Sequence, residues 1–382
     1  RIIEIPYSVD TNRFNLCGAT RHLLPITPVL LKYFRADHLP QMLRLTELAG
    51  GGVEALLEIP VKKGIIRYKK IYSLTDKDKP DAHLAILPFL RSEKYKLEYT
   101  IGLIDGRSVN NGTFGVVCFE KGEMITVAEP VFRNQGKLQQ SYYFKVRDKF
   151  DVLQLSSGSL KGCLIPVWKP NERGYNEIDF AIDFGTTNTH IEYKYGNRDA
   201  VPFDNNSAAP IWQSLLRAND SSNNPEYVAD DRIFEKEIMP YILSGETGFA
   251  RFPQRTALVF NKNTDPNVRM ESFRHSNGYM LFEKIHVPVY LDIRTQLKWS
   301  NYGNTRDKMM VESYIEYLMW LVYYKILLLD GNPEKCTITW FYPVSMDQYE
   351  LDVLFRTWRS VYETVFRLEA TETRIHGVPE SV

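Results

Sequence analysis

The sequence changes its pattern near residue 170, and one domain does not account for both patterns. Residues 1 to about 174 contain short segments in which apolar and polar residues alternate, whereas the remainder combines strand-like segments with long amphipathic ones. The segment between them, VWKPNERGYNE at 167–177, contains Pro, Gly and alternating charges, as connections between domains do. Because 382 residues exceed what a single core usually serves, we predict two domains, 1–174 and 175–382.

The first domain is predicted to be β-rich. Its candidate strands recur about every ten residues with Gly, Asp, Asn or Lys between them, a spacing typical of a sandwich or a barrel. The candidates are 1–9, 53–61, 65–74, 82–90, 95–104, 114–120, 124–132, 140–146, 150–156 and 162–168. One helical stretch is expected within 27–50. The glycines of AGGGVEA at 49–55 lack a following Gly-Lys-Ser/Thr, so they indicate a turn rather than a phosphate loop.

The second domain is predicted to be an α/β unit. Two strands at 178–195 are followed by a long apolar-periodic helix at 307–331, a strand at 335–344, an amphipathic helix at 346–366 and a strand from 372. This alternation of helix and strand is typical of an α/β sheet. The predicted fold class is therefore α+β and multidomain, with a sandwich-like or barrel-like domain followed by an α/β lobe.

Composition excludes several classes of function. The formal net charge is +0 and no block of five like charges occurs, which argues against nucleic acid as the main partner. No run of 18 apolar residues is present, so no membrane span is predicted. The four cysteines, Cys17, Cys118, Cys163 and Cys336, are too far apart in sequence for a zinc motif and favour reduced thiols in the cytoplasm.

The segment DFGTTNT at 183–189 carries the candidate chemistry. Asp183 ends a strand, and Gly185 permits a close approach of the backbone. Thr186, Thr187 and Thr189 supply hydroxyls beside the amides of a tight turn, which together favour an anion. A carboxylate beside a phosphate seat is suited to a hydrated Mg²⁺, so Asp183 is a candidate metal ligand through water. An ordinary polar hairpin is the alternative interpretation, since Asp, Gly and Thr also mark turns and strands.

The motif resembles the first phosphate-binding hairpin of the actin, seventy-kilodalton heat-shock chaperone and sugar-kinase ATPase superfamily. The superfamily pattern is Asp-x-Gly-Thr-Thr/Ser-x-Thr/Ser. The matching residues are Asp183, Gly185, Thr186, Thr187 and Thr189, and Asn188 is similar to its counterpart in bacterial actin homologues. The resemblance implies a ribonuclease H-like lobe that binds ATP and Mg²⁺ on this hairpin.

The order of the later elements is similar to that of the heat-shock chaperones. By that resemblance, Pro343 after the strand that follows helix 307–330 is the hinge proline that relays nucleotide state. Glu380 is the acidic residue near the metal and the attacking water, and FPQRTALVF at 252–260 corresponds to a strand of the small upper subdomain.

The catalytic lysine of the chaperones has no clear counterpart. The segment YLDIRTQLKW at 290–299 puts Arg294 at that place, with Lys298 as the competitor. An arginine could stabilise charge on a transferring phosphoryl group, but this departure from the pattern favours slow hydrolysis. The alternative interpretation is that Arg294 and Lys298 are solvated helix residues without a catalytic role.

The resemblance covers residues 178–382, which correspond to the first lobe only. No second phosphate hairpin or adenosine motif follows, and we expect the parent protein to continue. The β-rich domain that precedes the hairpin is expected to bind a protein partner or client. The predicted function is a slowly hydrolysing, chaperone-like or regulatory ATPase. The alternatives are a degenerate nucleotide sensor, a small-molecule kinase and an actin-like filament former.

Overall fold

The structure is a computed structural model. It describes residues 2–3, 24–78, 82–105, 114–134, 140–157, 160–171, 174–203, 213–216, 252–261, 278–280 and 291–380. The chain divides into two compact units. The first comprises residues 1–87, 95–169 and 213–231, and the second comprises residues 88–94, 170–212 and 232–382.

Strands dominate the described residues, and helices are few. The strands are β1 (Ile2–Ile3), β2 (Leu43–Glu47), β3 (Val53–Val61), β4 (Gly64–Tyr72), β5 (Lys77–Asp78), β6 (Ala82–Leu87), β7 (Leu90–Ser92), β8 (Tyr99–Asp105), β9 (Phe114–Glu120), β10 (Glu123–Ile125), β11 (Val131–Asn134), β12 (Gln140–Val146), β13 (Val152–Ser157), β14 (Leu160–Leu164), β15 (Lys169–Asn171), β16 (Ile178–Phe184), β17 (Asn188–Tyr195), β18 (Val201–Pro202), β19 (Gln213–Leu216), β20 (Gln254–Arg255), β21 (Ala257–Asn261), β22 (Gly278–Met280), β23 (Leu291–Thr295), β24 (Thr337–Tyr342) and β25 (Ile375–Pro379). The α-helices are α1 (Leu39–Met42), α2 (Thr305–Leu328) and α3 (Gln348–Phe366), and 3-10 turns lie at Pro28–Lys32, Ala36–His38, Leu74–Asp76 and Leu297–Trp299.

The first unit is built mainly from antiparallel sheets, and the short strands β1 and β5 form a parallel pair. The strand orders of the antiparallel sheets are β10-β9-β13-β14, β11-β12-β8-β6-β19 and β2-β3-β4. A buried cluster that includes Leu39, Leu45, Val53 and Cys163 forms one core of this unit. Strands β3, β9 and β12 coincide with the predicted segments 53–61, 114–120 and 140–146, each of which contains β-branched or aromatic residues that favour strands. The β-rich prediction is confirmed for the described residues.

The helical prediction over 27–50 is wrong in its second part. Short 3-10 turns and α1 occupy Pro28–Met42, but residues 43–47 form strand β2. Leu43 and Leu45 are buried and Arg44 is exposed, so the local pattern has the period of a strand. Pairing with β3 satisfies the backbone of this segment and overrides the helical propensity of its leucines.

Two predicted strands are each interrupted at a proline. Pro88 separates β6 from β7 within 82–90, and Pro130 lies between β10 and β11 within 124–132. Proline has no amide hydrogen to donate to a neighbouring strand, so a central strand ends before it.

The second unit contains a mixed sheet of order β18-β17-β16-β24-β25, in which β20 also pairs with β17. Strands β16 and β17 form the predicted hairpin and are antiparallel, whereas β16, β24 and β25 run parallel. A separate antiparallel sheet has the order β22-β21-β23. The predicted helix–strand–helix–strand order is confirmed over 305–379.

Helices α2 and α3 cover the apolar side of the mixed sheet. Helix α2 is buried around almost its whole circumference from Met310 to Leu328, as expected of a core helix. Helix α3 buries one face, on which Trp358 stacks on Trp340 of β24 with ring centroids 5.1 Å apart. The side chains of Asn304 and Asp347 cap the first turns of the two helices by accepting backbone N–H groups. No helix among the described residues has the length and apolar character needed to cross a membrane.

Candidate functional site

The parallel strands of the second unit bring three of the predicted site residues to one edge of the sheet. Asp183 lies at the carboxyl end of β16, Pro343 follows β24 and Glu380 follows β25. The amide of Glu380 donates to the carbonyl of Tyr342 at 2.8 Å, which fixes the end of β25 beside the end of β24. The crevice outside the carboxyl ends of the strands is where open α/β sheets bind ligands.

The turn between β16 and β17 leaves no room for a side chain at its first residue, Gly185. A Cβ atom on Gly185 would lie 2.4 Å from the backbone oxygen of Asn188. Only glycine allows this approach, so the requirement for Gly185 is steric. The turn consequently presents its backbone directly beside the carboxylate of Asp183.

A chain of buried hydroxyls holds the turn from behind. The Tyr314 hydroxyl donates to Thr189 Oγ1 at 3.1 Å, and Thr189 Oγ1 lies 2.9 Å from Thr256 Oγ1. Thr256 Oγ1 in turn donates to the carbonyl of Gly185 at 2.7 Å. Thr189 is fully buried. The Thr189 hydroxyl is therefore used in hydrogen bonds within the protein. Of the motif threonines, only Thr186 and Thr187 can contact a ligand.

Those two threonines face a different environment. Thr187 is exposed, and its carbonyl accepts the amide of Thr256 at 2.9 Å. Thr186 is partly buried, and its Oγ1 accepts the indole N–H of Trp299 at 2.8 Å. Since the Thr186 hydroxyl is an acceptor in this bond, its own hydrogen stays available to donate. Asn188 is partly buried, and its Oδ1 has no hydrogen-bond partner among the described residues.

Lys298 is the cation that approaches this edge of the sheet. Its side chain is 2% exposed, and its ammonium donates to Glu380 Oε1 in an ion pair. Lys298 belongs to the 3-10 turn at Leu297–Trp299, and its carbonyl accepts the hydroxyl of Tyr302 at 2.8 Å. Arg294, the other candidate, lies exposed on β23 opposite Leu258 and makes no ion pair with the described residues. The structure therefore brings Lys298, and not Arg294, to Glu380.

The electrostatics of Asp183 tie it to the same cluster. Surrounding protein raises the pKa of Asp183 although the side chain remains exposed at the surface. The Glu380 carboxylate raises this pKa further, while Lys298 and His190 lower it. His190 lies directly opposite Asp183 in the hairpin, and its Nε2 is 3.0 Å from Glu192 Oε1. Lys298 and Glu380 form an ion pair whose charges act on Asp183, and we call these three residues the charged triad.

Pro343 follows β24 at the same edge of the sheet. It joins β24 to the turn that begins α3, and its carbonyl accepts the amide of Met346 at 3.2 Å. Its position between strand and helix is that of a residue through which the two elements could move relative to each other.

Several residues of this site were not found by sequence reasoning. These are Thr256 and Tyr314, which support the turn, and Trp299, which contacts Thr186. Each is far from the motif in sequence, and neither a threonine beside a short strand nor a tyrosine on a buried helix carries a distinctive pattern. The sequence signals were indirect: Thr256 lies within the segment 252–260 and Trp299 within the segment 290–299, both singled out for other reasons.

No group of three His, Cys, Asp or Glu side chains suited to a metal ion occurs within the described ranges. Mg²⁺ commonly takes one or two carboxylates and completes its shell with water and phosphate oxygens. Asp183 alone is compatible with that mode of binding.

Comparisons with known proteins do not assign the chain. No family model matches it, and no characterised protein or solved structure shows significant similarity.

Proposed function

We propose that the second unit binds Mg·ATP on the β16–β17 turn and belongs to the actin, heat-shock chaperone and sugar-kinase type of ATPase lobe. The observation that carries the proposal is the charged triad of Asp183, Lys298 and Glu380 beside the Gly185 turn. A strand end, a 3-10 turn and a second strand end each contribute one member. Acidic and basic groups gathered beside an accessible tight turn suit a phosphate ligand and its metal better than they suit a structural hairpin.

The arrangement of the sheet supports the same assignment. A hairpin, β16–β17, is followed by a helix, a parallel strand, a second helix and another parallel strand. This is the order of elements on which the resemblance to the chaperones depends. It brings the carboxyl ends of β16, β24 and β25 to one edge of the sheet, so Asp183 and Glu380 lie at the same edge although they are far apart in the chain.

Each member of the triad has a distinct role in the proposal. Asp183, with its accessible carboxylate, holds the hydrated Mg²⁺ that accompanies the nucleotide. Lys298, rather than Arg294, supplies the positive charge for the phosphates, because it is the cation that reaches Glu380. Glu380, paired with Lys298, orients water or a metal-bound water. Thr186 and the amides of the turn donate to phosphate oxygens.

A nucleotide sensor without turnover is the second candidate. The Lys298–Glu380 ion pair favours it, because each partner neutralises the other and neither is free for chemistry while the pair persists. A fully active ATPase requires that nucleotide binding separates the two groups. Coupling of nucleotide state to a protein partner through Pro343 remains part of the proposal in both cases.

The test is calorimetric titration of Mg·ATP into the full-length protein and three variants. We expect Asp183→Ala and Lys298→Met to weaken binding by about tenfold or more, because each removes a charge-assisted contact to the ligand. Lys308→Met is the matched control, since Lys308 is an exposed lysine near the start of α2. Its affinity should equal that of the wild type.

Circular dichroism establishes whether each variant is folded. If Lys298→Met does not fold, Lys298→Arg replaces it, because arginine preserves the positive charge. Equal binding by the wild type and by Asp183→Ala would contradict the proposed site. A phosphate-release assay on the wild type then separates the two candidates. Slow release supports the ATPase, and binding with no release supports the sensor.

A further inference from the structure

Strand β4 in the first unit is a long edge strand with exposed apolar side chains. It spans Gly64–Tyr72, lies at the end of the β2-β3-β4 sheet, and pairs only with β3 among the described strands. Ile65, Ile66, Tyr68 and Ile71 are each between 44% and 59% exposed. Most edge strands are short or lack large exposed apolar residues, so a strand of this kind is a candidate for pairing with another chain.

The register of the hairpin defines which backbone groups are open. A two-residue turn, Lys62-Lys63, joins Val61 to Gly64 as the last pair of β3 and β4. In an antiparallel pair the residues alternate between hydrogen-bonded and non-bonded positions. Starting from the bonded pair at Val61 and Gly64, the amides and carbonyls of residues 65, 67, 69 and 71 point away from β3. These four positions can therefore bond an incoming strand.

The same hairpin carries a concentration of positive charge. Arg67 bonds Glu58 and Lys69 bonds Glu54, each at 2.6 Å. Lys62 and Lys63 of the turn and Lys70 of β4 are exposed and form no ion pair with the described residues. The β3–β4 hairpin contains five basic residues and two acidic ones, and Asp76 beyond it interacts with Lys70, so the edge is positive although the whole chain has a formal net charge of +0.

We propose that the β4 edge binds an extended acidic segment of a partner protein, which adds as a further strand. Backbone bonds at residues 65, 67, 69 and 71 supply affinity, and the charges supply selectivity. A second copy of this chain is disfavoured, because edge-to-edge pairing would bring lysine and arginine side chains opposite one another. The favoured partner places carboxylates opposite Arg67, Lys69 and Lys70, and apolar side chains opposite Ile65, Ile66, Tyr68 and Ile71.

A synthetic acidic peptide serves as the probe for this inference. The antiparallel complement of β4 reads Thr-Val-Glu-Glu-Val-Glu-Val-Val-Thr, with capped ends and a fluorescent label. Fluorescence anisotropy measures its binding to the full-length protein at low and at high salt. The control peptide carries Gln in place of each Glu. We expect the acidic peptide to bind, the control to bind about tenfold more weakly, and salt to reduce the difference.

Two pairs of protein variants separate strand addition from simple charge attraction. Lys69→Pro and Lys69→Ala both remove the lysine, but only proline removes an outward-facing amide hydrogen. The double variant Lys63→Glu/Lys70→Glu reverses charge at the edge. Lys308→Glu/Arg356→Glu makes the same change at exposed helix positions of the second unit. We expect Lys69→Pro to abolish binding and Lys69→Ala to weaken it a few-fold. Lys63→Glu/Lys70→Glu should weaken peptide binding about tenfold, and Lys308→Glu/Arg356→Glu should leave peptide binding unchanged.

Four outcomes would overturn the proposal. The first is no binding by the acidic peptide. The second is equal binding by Lys69→Pro and Lys69→Ala, which would make the edge an electrostatic patch only. The third is concentration-dependent association of the wild type that Lys69→Pro abolishes, which would make a second copy the occupant. The fourth is binding of a short single-stranded oligonucleotide in preference to the peptide.

Discussion

Gly185 and Asp183 show how single residues limit this site. Position 185 requires glycine, because the Asn188 carbonyl leaves no space for a Cβ atom there. The pKa of Asp183 is raised, mainly by burial and also by the charge of Glu380. Neither constraint follows from secondary structure alone, because both depend on atoms that the turn brings together.

Gly185→Ala should destabilise the hairpin and impair the site. The added methyl group would lie 2.4 Å from the Asn188 carbonyl, so the turn must shift. Overpacking of this kind reduces the free energy of unfolding by about 2 kcal/mol. Urea denaturation measures the loss, and Gly50→Ala is the control because a Cβ there meets nothing within 4 Å. Equal stability of the two variants would contradict the steric role of Gly185.

Asp183→Asn should raise the melting temperature at neutral pH. The pKa of Asp183 is higher in the folded than in the unfolded chain, so the folded state holds the proton more tightly. Stability therefore decreases as pH rises from the unfolded to the folded pKa, and the ionised carboxylate destabilises the fold above that window. The neutral amide removes this effect. Melting curves from strongly acidic to neutral pH should show the variant gaining stability relative to the wild type as pH rises. A constant difference would show that charge is not the cause.

At the scale of elements, the hairpin depends on helix α2 and on the segment around β20. Tyr314 of α2 and Thr256 complete the chain of hydroxyls that ends at the Gly185 carbonyl. The turn is thus fixed by contacts on the side opposite to the proposed ligand. Such support from packed elements keeps a binding loop in one geometry.

Tyr314→Phe should loosen this support without creating a cavity. The ring remains packed near Phe184, where the ring centroids are 5.9 Å apart, but the hydroxyl bonds to Thr189 and to the Arg255 carbonyl are lost. Loss of a buried hydrogen bond costs about 1–2 kcal/mol in the free energy of unfolding. Chemical denaturation measures this loss, and amide exchange at Gly185 and Thr187 should accelerate. Tyr349→Phe at an exposed position is the control. Unchanged exchange in Tyr314→Phe would exclude the supporting role.

At the scale of the whole molecule, two units with different sheets share one chain. The first is antiparallel and contains the basic edge strand, and the second is a mixed sheet with the charged triad. The proposals assign partner binding to the first unit and nucleotide binding to the second. They are tested separately, so either can fail while the other stands.

Mg·ATP should stabilise the full-length protein by an amount that grows with the logarithm of its concentration once that concentration exceeds the dissociation constant. A ligand present at 100 times its dissociation constant adds about 2.7 kcal/mol to the free energy of unfolding. Differential scanning calorimetry measures the shift, with Mg²⁺ alone as control. Hydrogen exchange should slow most at residues 183–189 and near residues 298 and 380. Protection confined to other parts of the chain would locate the nucleotide elsewhere.

Elements with a strong local pattern could be predicted from the sequence. Strands β3, β9 and β12 and the β16–β17 hairpin follow from segments that favour strands, with turn residues between them, and helices α2 and α3 follow from helical spacing. The sequence also identified Asp183 and Gly185 as candidates, because a carboxylate at a strand end beside a glycine turn has a recognisable chemistry. It failed for β2, whose leucines suit a helix until β3 lies beside them.

Which groups contact each other depends on the packing of distant segments. The resemblance to the chaperones favoured Arg294, with Lys298 as the competitor, whereas folding buries Lys298 and pairs it with Glu380, 82 residues away. The sequence predicted the same ligand-binding role for all three motif threonines. In the structure, the Thr189 hydroxyl is buried and bonds Tyr314 of α2, whereas Thr186 and Thr187 lie near the surface. The physical reason is that a local period records which face of an element is buried. Which side chains contact each other at the site depends instead on how segments that are distant in the chain pack together.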